Sequence, residues 1–139
     1  MSETIIRRIS EPDDAVDAFI HESFSGYGEQ RGIALNYEDF CFTANRGGEI
    51  LGAITGRAYY NEVHITDLII AEGCRGRGLG SRLVKTVEDA FRGGAYDVVT
   101  LTTFGFQAPA FYRKLGYTLE FVRESADPRL NKYFLKKAL

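Results

Sequence analysis

Cysteine is scarce in this chain of 139 residues: only Cys41 and Cys74 occur, far apart and outside any C-x-x-C pattern. That spacing argues against a disulfide framework or a cysteine-built metal centre, and no metal is expected. Proline is scarce as well. Pro12, Pro109 and Pro128 are dispersed, and no linker, repeat or low-complexity tract breaks the chain, which predicts one domain over residues 1–139. Positive charge is not in surplus, since the net charge is −2 and the pI near 5.7. Nucleic-acid binding rests on clustered lysine and arginine, and apart from one loop and Lys132, Lys136 and Lys137 no basic stripe occurs, so no nucleic-acid partner is expected. No apolar run is long enough to span a bilayer, and Glu3 and Glu11 interrupt any basic-then-apolar leader, so the expectation is a cytoplasmic protein with no membrane partner.

What the chain does have is enough apolar material for a core, 45% hydrophobic and 13% aromatic residues. It also has the segment Cys74-Arg75-Gly76-Arg77-Gly78-Leu79-Gly80-Ser81. The run Val63-His64-Ile65-Thr66-Asp67-Leu68-Ile69-Ile70 before it is rich in β-branched residues, and Leu79, Leu83, Val84, Val87, Ala90 and Phe91 after it recur at helical spacing. A glycine-rich loop therefore feeds a helix N-terminus. Backbone N–H groups there lack intrahelical partners, the macrodipole is positive, and glycine lets a pyrophosphate approach the backbone. A dinucleotide fingerprint fits badly, because Ser81 stands where its third glycine belongs after Gly76 and Gly78. A P-loop fits badly too, because no lysine occurs before Lys85.

The spacing that fits is Arg-x-x-Gly-x-Gly, read as Arg75, Gly78 and Gly80, which resembles the coenzyme A pyrophosphate signature of the GNAT superfamily of N-acetyltransferases. The whole stretch from Leu68 to Gly80 is similar to that family's strand-loop-helix. The stretch Phe106-Gln107-Ala108-Pro109-Ala110-Phe111-Tyr112-Arg113-Lys114-Leu115-Gly116-Tyr117 resembles its second motif, in the form found in a bacterial subgroup. Together the two motifs cover about half the chain; the N-terminal third carries no comparable signature.

The layout predicts an α/β (α+β) class. A strand over residues 4–9 precedes a helix capped by Ser10, with Asp13 three places on, Val16, Phe19, Ile20 and Phe24 on one face, and Gly26 and Gly28 at its end. A short second helix or loop follows up to Tyr37. Strands over 39–45 and 50–60 flank a Gly47-Gly48 hairpin turn. The strand ending at Ile70, a helix over 78–92 stopped by Gly93-Gly94, and a strand over 96–102 form a right-handed parallel crossover. A helix over 107–115 and strands near 117–122 and 132–136 complete the chain. The resemblance implies a mixed central sheet with an antiparallel N-terminal half, a splayed parallel strand pair and about four helices.

For function the resemblance implies an acetyl-CoA-dependent N-acetyltransferase, with attack by a primary amine of a small molecule in a ternary complex. Peptide or protein acetylation, or a coenzyme A-binding module without turnover, are the alternatives. Acetyl-CoA would be held by Leu68, Ile69 and Ile70, splayed from Thr100 and Leu101, and by Arg75, Gly76, Arg77, Gly78, Leu79, Gly80 and Ser81. Tyr112 matches the family's general acid for the departing thiolate. By offset from Arg75, His64 falls where relatives carry a base. Asp67 is the other candidate, and strand alternation puts the two on opposite faces unless a bulge intervenes. Without the motifs, Tyr112 reads as a packing residue and His64 equally well as a hydrogen-bonded strand histidine. Seven residues before the tyrosine many relatives have an asparagine; here it is Gly105, with Gln107 only a loose substitute. Cys74, beside Arg75 at a helix start, is either a bystander or a thiol in an electropositive setting. Residues between His21 and Tyr37, among them Glu22, Tyr27, Glu29 and Arg31, are expected on the acceptor side, and a homodimer is the default assembly.

Overall fold

The computed structural model describes residues 3–139, which divide into two compact units meeting between Leu35 and Asn36. The first unit holds one helix, α1 (Asp14–Glu29). Its cap is Asp13 and not Ser10: the Asp13 carboxylate accepts the Val16 N–H at 2.9 Å, satisfying one of the donors a helix start leaves unpaired. The helix runs through Gly26 and Gly28 and ends before Gly32, whose φ of +73° favours glycine. Gly28 has a packing reason, because the chain folds back so closely that a Cβ there would stand 2.6 Å from the Ile33 carbonyl. No residue of α1 is buried, and Phe19 and Phe24 are exposed.

The strand expected over residues 4–9 does not form. Thr4 to Ile9 have no regular secondary structure, Ile5 and Ile6 stand in solvent, and no ladder partner pairs with them among the described residues. β-propensity mostly reflects fit to a pleated neighbour, so without a partner it yields no strand. Among the described residues the count of about four helices falls to three α-helices and two 3₁₀ turns, because the stretch after Glu29 closes as a turn.

The second unit is a six-stranded mixed sheet, β1 (Glu38–Arg46), β2 (Glu49–Tyr59), β3 (Glu62–Ile70), β4 (Val98–Phe104), β5 (Thr118–Arg123) and β6 (Lys132–Ala138), in the order β1-β2-β3-β4-β6-β5. All pairs are antiparallel except β3 and β4. Between them run α2 (Leu79–Phe91) and, after β4, α3 (Pro109–Lys114). Gly47 and Gly48, both at positive φ, make the expected hairpin turn. One sheet face packs Phe40, Ile54, Val63, Ile65, Val99, Leu101 and Leu135 against Leu83, Val84, Val87 and Phe91 of α2, and against Tyr112 and Tyr117. Each such side chain, removed from water, contributes roughly 1.5–3 kcal/mol. Ala90, though in phase with that stripe, is exposed.

β3 carries a bulge. Thr55 pairs with Asp67 and Gly56 with Ile65, leaving Thr66 as an extra residue. Gly56 sits opposite, where a Cβ would collide with the His64 carbonyl and the Phe40 ring, so glycine marks the place where β2 can meet the distorted strand. The bulge reverses the alternation of β3. Val63 and Ile65 face the core before it, Leu68 and Ile70 after it, and His64 and Asp67 therefore share the opposite face. No helix among the described residues is long and apolar enough to cross a membrane, and none of them form a cluster of three or more His, Cys, Asp or Glu suited to a metal.

Candidate active site

The parallel pairing of β3 with β4 covers only Glu62 to Ile65 against Val98 to Leu101. Beyond it Thr66 to Ile70 have no β4 partner, so the strands part as expected, though Thr100 and Leu101 are the last paired residues and do not themselves border the opening. A cleft of about 410 Å³ lies there, lined by Leu68, Ile69, Ile70, Cys74, Arg75, Gly76, Gly78, Leu79, Gly80, Ser81 and the α3 residues Ala108, Phe111 and Tyr112. Nine of the ten residues expected to hold acetyl-CoA are in this list. The tenth, Arg77, lines a separate hollow of about 550 Å³ with Arg46 and Arg82.

The glycine loop has the form an anion needs. Gly76 and Gly78 have φ of +76° and +80°, and a Cβ built on either meets nothing within 4 Å, so open space faces the backbone at both. Gly78 is also the N-cap of α2, and no side chain caps that end. The leading N–H groups of α2 are thus left for a ligand, with the positive end of the helix dipole behind them. Gly80 serves packing instead. A Cβ there would stand 3.1 Å from the Phe111 ring, so its absence lets α3 close on α2 and bring Tyr112 to the cleft. Arg75 donates from Nε to the Ile70 carbonyl at 3.0 Å, which ties the loop to the end of β3. These features fit the pyrophosphate and pantetheine arm of acetyl-CoA: donors without partners, room for close approach, and an unpaired strand edge.

Tyr112 is buried at 7% exposure, its ring edge-on to Phe111 and Tyr117 at centroid distances of 5.0 and 5.9 Å. Burial pushes its hydroxyl pKa up to about 12. Gln107 does not face the cleft: its Oε1 accepts the Phe104 N–H at 2.9 Å and closes the turn after β4. Gly105 is glycine because a Cβ would stand 2.6 Å from the Pro128 carbonyl, which explains why no asparagine occupies that position.

His64 lines a different hollow, of about 490 Å³ on the other face of the sheet, with Tyr59, Glu62, Thr100, Glu120, Phe134 and Lys136 among its walls. It belongs to the last paired stretch before the strands part. Its Nδ1 is 2.8 Å from Thr100 Oγ1, the Thr100 hydroxyl donates to Glu62 Oε2, and Nδ1 lies 3.8 Å from that carboxylate. Burial holds the His64 pKa below its ordinary value; Glu62 acts in the raising direction, and Arg57 and Lys132 in the lowering one. Asp67 is exposed on the same face and accepts the Thr55 hydroxyl at 3.1 Å. Sequence reasoning missed Glu62, Glu120 and Phe134. Glu120 is the extra residue of a second bulge, between Leu119 and Phe121, and no spacing rule signals that. Of the stretch expected on the acceptor side, Arg31 stacks over Tyr27 at 3.5 Å within the first unit, and Tyr37 donates to Asp39 in the second.

The sequence profile described as the acetyltransferase (GNAT) family matches residues 7–117. The chain is 31% identical over 99 residues to Blasticidin-S acetyltransferase of Streptomyces morookaense, spanning 70% of this chain and 73% of that protein. It is 32% identical over 120 residues to an uncharacterized N-acetyltransferase of Methanocaldococcus jannaschii, spanning 81% and 77%. A crystal structure of an acetyltransferase from Bacillus cereus superposes with a TM-score of 0.77 at 27% identity, covering 96% of this chain and 98% of the other.

Proposed function

The chain belongs to the acetyltransferase (GNAT) family and is an N-acetyltransferase that uses acetyl-CoA, and from that premise we propose that its acceptor is a primary amine of a small molecule, cationic at neutral pH. The observation that carries the acceptor class is the His64 hollow. Its volume of about 490 Å³ is in the range that holds a small ligand, and Glu62 and Glu120 in its walls, against the one lysine Lys136, offer acidic partners to an ammonium group beside the rings of Tyr59 and Phe134. The relative named for blasticidin S points to the same class of acceptor. We read the whole chain as one catalytic domain.

Acetyl-CoA supplies an activated acyl group and a thiolate that can depart. The loop N–H groups of Gly76 to Ser81 bind its pyrophosphate, and the unpaired edge of Leu68 to Ile70 binds its arm, as a peptide completes an open ladder. Tyr112, kept protonated by burial, donates its hydroxyl proton to the thiolate sulfur. His64, kept neutral by burial, accepts a proton from the incoming ammonium, which restores the lone pair that attack requires. The amine then reacts directly while both partners are bound.

A panel of amines tests the acceptor class: blasticidin S, aminoglycosides, polyamines, amino acids and short peptides, each incubated with acetyl-CoA while free thiol is measured. Turnover confined to small cationic amines is the expected result. Turnover on peptide N-termini alone would replace this reading with peptide acetylation.

A further inference from the structure

Three polar side chains from two strands meet within the paired stretch of β3 and β4, and their hydrogen count decides more than their distances do. The Thr100 hydroxyl has a single hydrogen. Its donation goes to Glu62 Oε2, and an ionised carboxylate can only accept. With that hydrogen committed, Thr100 Oγ1 can meet His64 Nδ1 at 2.8 Å only as an acceptor. The imidazole hydrogen must therefore sit on Nδ1, and the free lone pair on Nε2, for which no hydrogen-bond partner exists among the described residues.

We infer that Glu62 and Thr100 are positioning residues that fix His64 as its Nδ1–H tautomer and make Nε2 the atom that takes the proton from the acceptor amine. This rests on the reading of His64 as the base and adds the residues and the atom. In the step itself an N–H bond of R–NH₃⁺ breaks and an Nε2–H bond forms, leaving R–NH₂ and imidazolium, which later returns the proton to water. Without the relay a neutral imidazole can place its hydrogen on either nitrogen, and the molecules carrying it on Nε2 cannot act. The same carboxylate, 3.8 Å from Nδ1, faces the imidazolium that forms. The other groups facing the ring are Arg57 and Tyr59 on β2, Lys132 and Lys136 on β6, and Glu120 on β5. Three of these are cationic, so Glu62 at hydrogen-bond range of Thr100 is the partner built to offset them. A structural histidine would need neither a fixed tautomer nor an open nitrogen at a hollow.

The tautomer can be read without turnover, by nitrogen-15 NMR of imidazole resonances in the uniformly labelled full chain at a pH above the His64 titration. The chain has only two histidines, so His64→Ala assigns the spectrum and His21 serves as the internal reference. In the wild type His64 should show a protonated Nδ1 and an unprotonated Nε2. Thr100→Val should abolish that preference and Thr100→Ser should restore it. Glu62→Gln can still accept from Thr100, so it should keep the tautomer while moving the His64 titration to lower pH, because the raising charge of Glu62 is gone. With an amine from the panel, Thr100→Val should lower kcat about tenfold, the scale of one hydrogen bond lost at a half-buried group, with KM for acetyl-CoA unchanged. A wild-type His64 protonated on Nε2, or the same tautomer preference in Thr100→Val, overturns the relay. Wild-type kinetics in His64→Ala would instead overturn the reading of His64 as the base, so the two failures are separate.

Discussion

At Tyr112 the packing role and the proposed chemical role belong to different parts of one side chain. The ring is held among Phe111, Tyr117 and the core, while the side chain reaches the cleft. A pKa near 12 makes this hydroxyl a proton donor at every physiological pH and never a base. Tyr112→Phe keeps the ring and removes only the donor. Turnover should fall by about 10²–10⁴-fold with acetyl-CoA affinity nearly unchanged, measured by thiol release and calorimetry. Wild-type turnover in that variant would return Tyr112 to packing alone. His64 gives the second residue-level prediction. Its pKa is lowered by burial, so the rate at limiting amine should rise with pH through an ionisation below histidine's ordinary ~6.5, and His64→Ala should lose that limb. The same shift has a stability sign. An unfolded chain takes up this proton more readily than the folded one, so the His64 contribution is present above about pH 6.5 and is lost as the pH falls.

At the scale of elements, the loop and helix were legible because their chemistry is local. Positive-φ glycines, a helix start without a side-chain cap and the apolar stripe of α2 all follow from residues within about twenty positions of one another. The bulge at Thr66 was not legible, since it exists only in the pairing of β3 with β2. Strand alternation alone put His64 and Asp67 on opposite faces, and one extra residue put them on the same one. The strand over residues 4–9 failed for a related reason: β-branched residues propose a strand, and a neighbour must accept it. Gly78 offers the sharpest test at this scale. With φ at +80° and no atom within 4 Å of a built Cβ, Gly78→Val should strain the turn and fill the space before the α2 N–H groups without striking the core. Acetyl-CoA binding should be lost while circular dichroism and the cooperative unfolding transition persist. Unchanged affinity would remove the pyrophosphate from this loop.

For the sheet unit taken whole, the cleft is held open by groups that lie away from it. Glu88 of α2 is buried at 5% exposure, yet it accepts the Tyr117 hydroxyl at 2.8 Å and faces Lys137 Nζ of β6 at 3.1 Å. One carboxylate thus ties α2, the turn after α3 and the last strand together, the three parts that keep the glycine loop and Tyr112 in register. Burial, with Glu88 beside it, pushes the Tyr117 hydroxyl pKa far above its ordinary value, so this hydroxyl stays a donor near neutral pH. A frame already built should bind acetyl-CoA without refolding, and a ligand that binds only the folded state stabilises it by mass action. At a concentration 100-fold above Kd the gain is about 2.7 kcal/mol, which for a unit of this size raises Tm by roughly 5–15 °C. The three site variants should separate in one thermal-shift experiment. Tyr112→Phe and Thr100→Val should keep the full shift, because neither removes a group that holds the pyrophosphate, whereas Gly78→Val should lose it. A shift retained in Gly78→Val, or lost in Tyr112→Phe, would mean that the thiolate's proton donor and the phosphate cradle are not the separate parts of the cleft described above.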